Sequence, residues 1–275
     1  MSEIYANKLD TEEDRVNGVI LDSMTTRRGT HVEMIQCPAW KIACYMDGVI
    51  QSCEMDESTY HESLVHPIMS STLCKNRVLI IGGGEGATAR EVLKWPVEQV
   101  DMYDWDEDVV QLFQNKYPQW ANGAWEDKRL TLHFDNIFDI ISEAPPVPYD
   151  IIIIDLFDPE ESNSNAWSHL FQNLHKWMTH ESSIVIYAGM IQPHQIKQPY
   201  QLIRDLITYP SCWGQDKLVN KEIIPYKVPI QSFLGESAFL FIRTFKGWED
   251  TWSVSDTISS HITSEKWKSY RNIKL

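Results

Sequence analysis

The chain has few basic residues and no long apolar run. Its 275 residues include 24 lysines and arginines against 39 aspartates and glutamates, so the formal net charge at pH 7 is -15. This charge repels nucleic acid phosphates and anionic lipid surfaces but attracts cations, so we expect neither nucleic acid nor membrane as a partner. No run approaches the roughly 18 apolar residues of a membrane helix, and no signal-peptide pattern is present. These absences predict a cytoplasmic protein.

Cysteine is also scarce. The five cysteines are odd in number and form no C-x-x-C pair, which argues against a disulfide framework. Most fall in apolar surroundings, so we expect reduced core thiols: Cys37, Cys44, Cys53, Cys74 and Cys212. Several histidines lack the spacing of metal ligands and a nucleophile partner: His169, His175, His180 and His194. We therefore expect no metal.

The first part of the chain has the pattern of a small β-domain. Over residues 30–53, short apolar runs alternate with turn signals at Cys37-Pro38 and Asp47-Gly48. This alternation favours β-hairpins over helices. The sequence therefore predicts a small N-terminal β-domain over residues 1–55.

A helix and then a repeating strand-helix pattern follow. Apolar residues recur at helical spacing over residues 56–70, which predicts a helix that links the β-domain to a second domain over residues 56–275. From residue 77 onward, apolar strands alternate with helical stretches, as in a parallel sheet with crossover helices. A late strand at 238–242, paired with one near 218–224, should form an antiparallel edge. The other predicted strands are Arg77–Ile81, Val100–Tyr103, Leu130–His133, Ile151–Ile154 and Ile184–Tyr187.

Glycine is concentrated in one place. Four of the 12 glycines lie in Gly82-Gly83-Gly84-Glu85-Gly86, between the first predicted strand of the second domain and a predicted helix over residues 87–94. Glycines in a G-x-G-x-G pattern let the backbone approach a nucleoside ligand closely. A tight strand-to-helix turn and a dinucleotide fingerprint remain alternatives.

Polar residues follow the next two strands. Asp104 ends the second strand about 20 residues after the glycines, where an acidic side chain typically accepts hydrogen bonds from ribose hydroxyls. Asp135 and Asn136 follow the third strand and could meet an adenine amino group. An aspartate at this position could equally cap the helix that follows.

Two carboxylates follow the fourth strand. Asp155 and Asp158 belong to the segment Asp-Leu-Phe-Asp-Pro, at the sheet edge where open α/β sheets bind ligands. Such a pair can hold an ammonium group or take a proton from it, although capping of the loop is the alternative. Asp101 and Asp106, in contrast, are interpreted as ordinary surface charges.

Several motifs follow one another in a fixed order, which is more specific than the glycine pattern alone. They are Asp47–Gln51, Asp56-Glu57, Tyr60–Glu62, His66-Pro67, Gly82–Gly86, Arg90–Leu93 and Asp155–Pro159. With these motifs, the chain resembles the spermidine synthase family of aminopropyltransferases over residues 30 to 245. The motif sequences Gly-Gly-Gly-Glu-Gly, Tyr-His-Glu and Asp-Leu-x-Asp-Pro are nearer to those of the members that use agmatine or make thermospermine.

The resemblance implies a fold and a reaction. The fold is α/β, a Rossmann-like, methyltransferase-like sheet that binds S-adenosylmethionine, with a small N-terminal β-domain. The reaction transfers the aminopropyl group of decarboxylated S-adenosylmethionine, a co-substrate, to an amine and releases 5'-methylthioadenosine without a metal. The acceptor would be a small polyamine: putrescine, agmatine or spermidine. The resemblance also implies a homodimer or homotetramer.

The resemblance further assigns roles at the acceptor. Asp155 would deprotonate and orient the attacking amine, and Asp158 would hold the acceptor's other charged end. Tyr60 would assist at the acceptor.

At the donor, Gln51 and His61 would contact the aminopropyl side, and Glu85 would pair with the primary ammonium. Asp104 would bind the ribose. The other donor-binding positions are Gly82, Gly84 and Gly86 in the loop, and Asp135 and Asn136 at the adenine.

Two alternatives remain open, and a departure from the family favours one of them. Tyr187-Ala188-Gly189 stands where members commonly carry a glutamine after the fifth strand. A non-catalytic polyamine-binding homologue is therefore one alternative. The other is an S-adenosylmethionine-dependent methyltransferase, which would share the glycine loop and Asp104 but does not need Asp155, Asp158 and Tyr60 together.

Overall fold

An antiparallel sheet of four strands, which lie side by side in the order of the sequence, begins the fold. A computed structural model describes residues 17–38, 40–191, 198–208, 222–243 and 258–271. The strands are β1 (Val19–Thr25), β2 (His31–Cys37), β3 (Lys41–Met46) and β4 (Val49–Cys53). At the β3-β4 turn, Asp47 and Gly48 have φ values of 49° and 79°, as a two-residue hairpin turn of type I′ requires. The predicted hairpins are confirmed.

A sheet of seven strands follows. Its strands are β5 (Arg77–Gly82), β6 (Gln99–Tyr103), β7 (Leu130–His133), β8 (Tyr149–Asp155), β9 (Met178–Ile191), β10 (Glu222–Ile230) and β11 (Gly235–Arg243). In space they lie in the order β10-β11-β9-β8-β5-β6-β7. Strands β5 to β9 pair in parallel, whereas β11 pairs antiparallel with β9 and β10 with β11. The predicted Rossmann-like α/β fold with an antiparallel edge is confirmed. Residues 218–221 of the predicted edge strand lie outside the described residues.

Helices cover both faces of the large sheet. Strand β8 shows why, because Ile151, Ile152, Ile153 and Ile154 are all fully buried. Ile151 and Ile153 pack in one cluster with Leu64, and Ile152 and Ile154 pack in another with Trp167. Burying each such side chain stabilises the fold by about 1.5–3 kcal/mol. The helices are α1 (Glu57–Ser71), α2 (Ala87–Leu93), α3 (Glu107–Lys116), α4 (Ile137–Ile140), α5 (Ser164–Leu174), α6 (Pro199–Thr208) and α7 (Ser264–Tyr270), with 3-10 turns at Ala124–Glu126, Glu161–Asn163, His175–Trp177 and Gln231–Phe233.

Helix α1 lies between the two sheets in the chain, as predicted, and it is buried over residues 60–69. Its Glu62 accepts hydrogen bonds from the Ser259 hydroxyl (2.6 Å) and from the backbone N–H of His261 (2.7 Å). The C-terminal segment is thereby fixed to the helix. The predicted boundary at residues 55/56 falls between β4 and α1, and the division into two domains stays a prediction.

The strand order places a crevice at the end of β5. The chain runs from β5 to β6 and β7 on one side and then returns to β8 on the other side of β5. In open α/β sheets, ligands bind at such a reversal, outside the carboxyl ends of the strands. Gly82 at the end of β5 is paired with Asp155 at the end of β8, so two predicted site motifs meet there.

Two aspartates interpreted as surface charges are buried, so that prediction is wrong. Asp101 is 6% exposed and accepts hydrogen bonds from Arg77 (3.0 Å) and the Tyr149 hydroxyl (3.1 Å). Asp106 is 3% exposed, accepts a bond from the Thr26 hydroxyl (2.7 Å) and caps α3. All three donors come from other elements, and such partners leave no periodic pattern in the sequence.

The cysteine prediction is confirmed in part. Cys37, Cys44 and Cys53 are buried, but Cys74 is exposed because it lies in the loop between α1 and β5. Cys212 lies outside the described residues. Across the described part of the chain, no helix has the length and apolar character required to cross a membrane.

Candidate active site

The glycine loop joins β5 to α2, as its pattern predicts. Gly82 has a φ of 88°, a left-handed conformation that glycine adopts without strain. A Cβ atom there would lie 2.0 Å from the backbone oxygen of Asp155. Only glycine therefore allows the end of β5 to approach the end of β8 this closely.

Asp104, at the end of β6, faces the same loop. Its carboxylate accepts hydrogen bonds from the backbone N–H groups of Asp106 (2.9 Å) and Gly84. Burial raises the pKa of Asp104 to about 6, and the negative charges of Asp106 and Asp155 act in the same direction, while the two backbone donors oppose them. A Cβ atom on Gly84 would lie 2.8 Å from Asp104 Oδ2, so the loop backbone and this carboxylate are in close contact.

Asp155 is held by two hydroxyl groups from different helices. The Tyr60 hydroxyl on α1 donates to Oδ1 at 2.7 Å, and the Thr88 hydroxyl on α2 donates to Oδ2 at 2.7 Å. Burial raises the pKa of Tyr60 well above 10, and the charge of Asp155 raises it further. Tyr60 therefore remains a neutral phenol that donates to Asp155.

Asp158 has a tyrosine partner as well. The Tyr187 hydroxyl on β9 and the backbone N–H of Met190 donate hydrogen bonds to its carboxylate. Burial raises the pKa of Asp158, and these two donors offset part of the shift. The rings of Tyr60 and Tyr187 meet edge to face, with centroids 5.5 Å apart. The two carboxylate-tyrosine pairs are thus neighbours.

Aromatic rings line the space beside Tyr60. The centroids of Phe233 and Phe239 lie 6.0 and 5.4 Å from that of Tyr60. The 3-10 turn that carries Phe233 is fixed by Asp56, which accepts bonds from the backbone N–H and the hydroxyl of Ser232, both at 2.8 Å. Aromatic faces next to carboxylates attract an alkyl ammonium group.

His61 and Glu85 form the other end of the site. His61 Nε2 lies 2.8 Å from Glu85 Oε1, and His61 Nδ1 lies 3.0 Å from Glu57 Oε2. Burial alone would lower the pKa of His61, but Glu85 and Glu57 more than compensate and raise it to about 10. Gln51, on β4, lines a water-sized cavity together with His61.

Comparison with known proteins identifies the family. The spermine/spermidine synthase domain family matches residues 57–205, more than half of the chain. The chain belongs to this family. Within it, the polyamine aminopropyltransferase of Synechococcus sp. (strain JA-2-3B'a(2-13)) is 36% identical over 202 residues, which cover 70% of this chain and 61% of the relative. The corresponding protein of Prochlorococcus marinus (strain AS9601) is 36% identical over 157 residues, which cover 57% of this chain and 55% of the relative. The chain therefore spans little more than half the length of these relatives.

Solved structures of spermidine synthases share the fold. The enzyme from Thermotoga maritima has a TM-score of 0.75 and 19% identity, with 93% of this chain and 85% of that chain covered. A spermidine synthase in complex with the transition-state analogue AdoDATO has a TM-score of 0.71 and 21% identity, with 93% and 80% covered. At these identities, the likeness establishes the fold alone.

Direct contacts join several predicted site residues of this family member: Gly82 with Asp155, Gly84 with Asp104, Tyr60 with Asp155, and His61 with Glu85. Asn136, not Asp135, caps α4: its side-chain oxygen accepts a bond from the backbone N–H of Phe138 at 3.2 Å, and Asp135 is exposed. Thr88 was not predicted, although its position next to the glycine loop is a usable signal. The sequence identified Tyr187 only as a departure from the family. Its hydrogen bond to Asp158 joins β9 to the loop after β8, and only the structure shows this contact.

Proposed function

We propose that the protein transfers the aminopropyl group of decarboxylated S-adenosylmethionine to a small polyamine. The observation that carries the proposal is the pair Asp155 and Asp158 at the end of β8, each bonded to a buried tyrosine beside the glycine loop. Membership of the spermine/spermidine synthase domain family and the similarity to polyamine aminopropyltransferases support it.

The donor would bind along the glycine loop. Asp104 would accept hydrogen bonds from the ribose hydroxyls, because its ionised carboxylate accepts and does not donate. Gln51 and His61 would line the aminopropyl chain, and Glu85 would accept bonds from the primary ammonium. The adenine would lie near Asp135 and Asn136, with the loop glycines Gly82, Gly84 and Gly86 allowing close approach of the backbone.

The acceptor would lie between the two carboxylates. Amines of this kind have a pKa near that of lysine, about 10.4, so the attacking nitrogen arrives protonated. Asp155 would take that proton and orient the nitrogen lone pair, while Asp158 would pair with the distal ammonium. Tyr60 would fix Asp155 by its 2.7 Å bond.

The chemical step needs little beyond alignment. The nitrogen attacks the aminopropyl carbon attached to the sulfonium, the C–N bond forms, the C–S bond breaks, and sulfur keeps the electron pair as a neutral thioether, 5'-methylthioadenosine. Because the sulfonium is a good leaving group, holding the two cations in line supplies most of the acceleration. The carboxylates Glu85, Asp155 and Asp158 would offset the repulsion between donor and acceptor.

Calorimetry followed by product chromatography tests this proposal. We expect decarboxylated S-adenosylmethionine to bind more tightly than the intact form, and incubation with putrescine, agmatine and spermidine to yield 5'-methylthioadenosine with one extended amine. Tighter binding of intact S-adenosylmethionine with a methylated product would establish a methyltransferase instead. Binding without turnover across the panel would establish a non-catalytic homologue. Size-exclusion chromatography with light scattering would test the expected homodimer or homotetramer.

A further inference from the structure

His61 is buried with acceptors at both of its ring nitrogens. It is 2% exposed. Nδ1 lies 2.6 Å from the backbone oxygen of Glu57 and 3.0 Å from Glu57 Oε2, while Nε2 lies 2.8 Å from Glu85 Oε1. A ring nitrogen next to a carbonyl or carboxylate oxygen must donate, because two acceptors repel each other. The geometry therefore requires a proton on both nitrogens, and the ring is an imidazolium.

Glu57 is itself held in place by an ion pair. Arg90, on α2, donates to Glu57 Oε1 at 3.1 Å and to Oε2 at 2.8 Å, a bidentate pair. Arg90 Nε also donates to Glu91 at 2.7 Å, and Lys94 donates to Glu91 at 2.6 Å. Burial would raise the pKa of Glu57, but His61 and Arg90 lower it overall, so it remains ionised. A chain of alternating charges thus leads from α2 to the site.

We propose that Glu57, held by Arg90, is a positioning residue that keeps His61 an imidazolium. This imidazolium fixes one carboxylate oxygen of Glu85 and leaves the other oxygen for the donor ammonium. The last step rests on the proposed function. If His61 lost a proton, it would be the one on Nε2, because the Glu57 backbone oxygen retains the proton on Nδ1. A lone pair would then face Glu85, and the carboxylate would turn away.

The groups around His61 are consistent with a permanent charge. Glu57 and Glu85 interact directly with the His61 ring, and Tyr60 packs against it edge to face. Arg90 contacts Glu57, and Cys44 on β3 interacts with Glu85. Cys53 and Asp56 line the same cavity as His61. Burial raises the pKa of the Tyr60 phenol and of the Cys44 thiol, so both stay neutral, and Glu57 and Glu85 are the charges in contact with the ring. The pKa of His61, about 10, lies above any ordinary assay pH.

Ring ¹⁵N spectra of the ligand-free protein test the charge of His61 without any substrate. In the wild type and in Glu98→Gln, which removes an exposed carboxylate, we expect two ring protons from pH 6 to pH 9. In Glu57→Gln, the second proton should be lost about two pH units lower. A neutral His61 at pH 8 in the wild type would overturn the proposal whether or not the variant folds, and unchanged titration in Glu57→Gln would do the same.

Calorimetry and kinetics then test the effect on the donor. At pH 8 we expect Glu57→Gln to bind decarboxylated S-adenosylmethionine about 10-fold more weakly than the wild type, with a smaller difference from the wild type at pH 6 and an unchanged acceptor KM. Glu57→Asp, which keeps the charge, should lose less. Donor affinity equal to that of the wild type at both pH values would overturn the positioning role. A wild type that does not bind this donor would instead overturn the proposed function, and the ring spectra would still decide the charge of His61.

Discussion

The hydroxyl of Tyr60 donates a 2.7 Å hydrogen bond to Asp155 Oδ1, joining helix α1 to the end of strand β8. These two residues are 95 positions apart in the chain. The bond leaves the phenol as donor only, because burial and the charge of Asp155 raise the pKa of Tyr60 well above 10. Asp155 therefore has a fixed orientation and remaining lone pairs with which to accept a proton.

Asp155→Asn should remove turnover while leaving donor binding nearly intact. The amide keeps the size of the side chain but cannot take a proton from the attacking amine. We expect a loss of about 10²-fold or more in kcat. Single-turnover kinetics and calorimetry measure the two effects, and Asp139→Asn, at an exposed position on α4, is the matched control. Turnover near that of the control would exclude Asp155 as the base.

Asp158→Asn should raise the acceptor KM much more than the donor KM. Its carboxylate is proposed to neutralise the distal ammonium, and the hydroxyl of Tyr187 fixes it. Tyr187→Phe should give a smaller rise in the same constant, because the charge remains but one donor is lost. Steady-state kinetics with both substrates varied decides the point. Equal changes in both KM values would make Asp158 a structural residue.

Donor affinity should rise with pH between 5 and 7. Burial raises the pKa of Asp104 to about 6, so below that value the carboxylate is mostly protonated and loses acceptor capacity for the ribose. If ionisation is required, affinity increases about 10-fold over this range. His61, with a pKa of about 10, stays charged and does not contribute. Calorimetry at pH 5, 6 and 7 should show the rise in the wild type and a flat response in Asp104→Asn. A rise of the same size in the variant would assign the titration to another group.

The raised pKa of Asp104 also has a consequence for stability. Its pKa is higher in the folded chain than the unfolded value of about 4, so the folded state binds more protons between these values. Stability of the ligand-free protein should therefore fall as the pH rises from about 4 to about 6. Asp104→Asn should remove that contribution, which thermal unfolding at pH 5 and pH 7 measures.

The sequence predicted strands and turns well where a short stretch of consecutive residues carried the pattern. Strand β7 has the predicted bounds, Leu130–His133, and the glycine loop lies between a strand and a helix as expected. Strand β9 is much longer than its predicted core at residues 184–187, because it begins with polar residues that do not read as an apolar run. Two of them, His180 and Glu181, are exposed, whereas the buried Ser182 donates its hydroxyl to the backbone oxygen of Tyr149 at 2.6 Å. Strand β1 was not predicted, since its first residues are exposed and do not alternate.

The sequence predicted the site residues that lie together in one motif. It missed the partner residues that come from distant segments of the chain. Asp155 and Asp158 share one loop, but their partners Thr88 and Tyr187 come from α2 and β9. The same holds for Asp101, which accepts hydrogen bonds from Arg77 on β5 and Tyr149 on β8 as well as from its strand neighbour Gln99. Such pairings depend on the order of strands in the sheet, which short apolar runs do not encode.

Gly82→Ala should destabilise the protein far more than Gly29→Ala. Both glycines have left-handed backbones, with φ values of 88° and 94°. A Cβ atom at Gly82 would lie 2.0 Å from the backbone oxygen of Asp155, whereas nothing lies within 4 Å of one at Gly29. The strain alone costs about 1–2 kcal/mol, and the clash should bring the loss at Gly82 to about 3 kcal/mol or more. Denaturant unfolding compares the two, and equal losses would contradict the close approach of β5 and β8.

Glu85 should select decarboxylated over intact S-adenosylmethionine. One of its oxygens is engaged by His61 at 2.8 Å, so the other would meet the primary ammonium of the donor. In the intact molecule, a carboxylate on the neighbouring carbon would be repelled by the same charge, and discrimination then comes from repulsion as much as from attraction. A buried like-charge contact costs several kcal/mol before relaxation, enough for a preference of about 10²-fold. Competitive titration of both compounds should show this preference in the wild type and in Glu98→Gln, and a narrower one in Glu85→Gln. An unchanged ratio in Glu85→Gln would exclude that role for Glu85, and tighter wild-type binding of the intact compound would contradict the aminopropyl transfer itself.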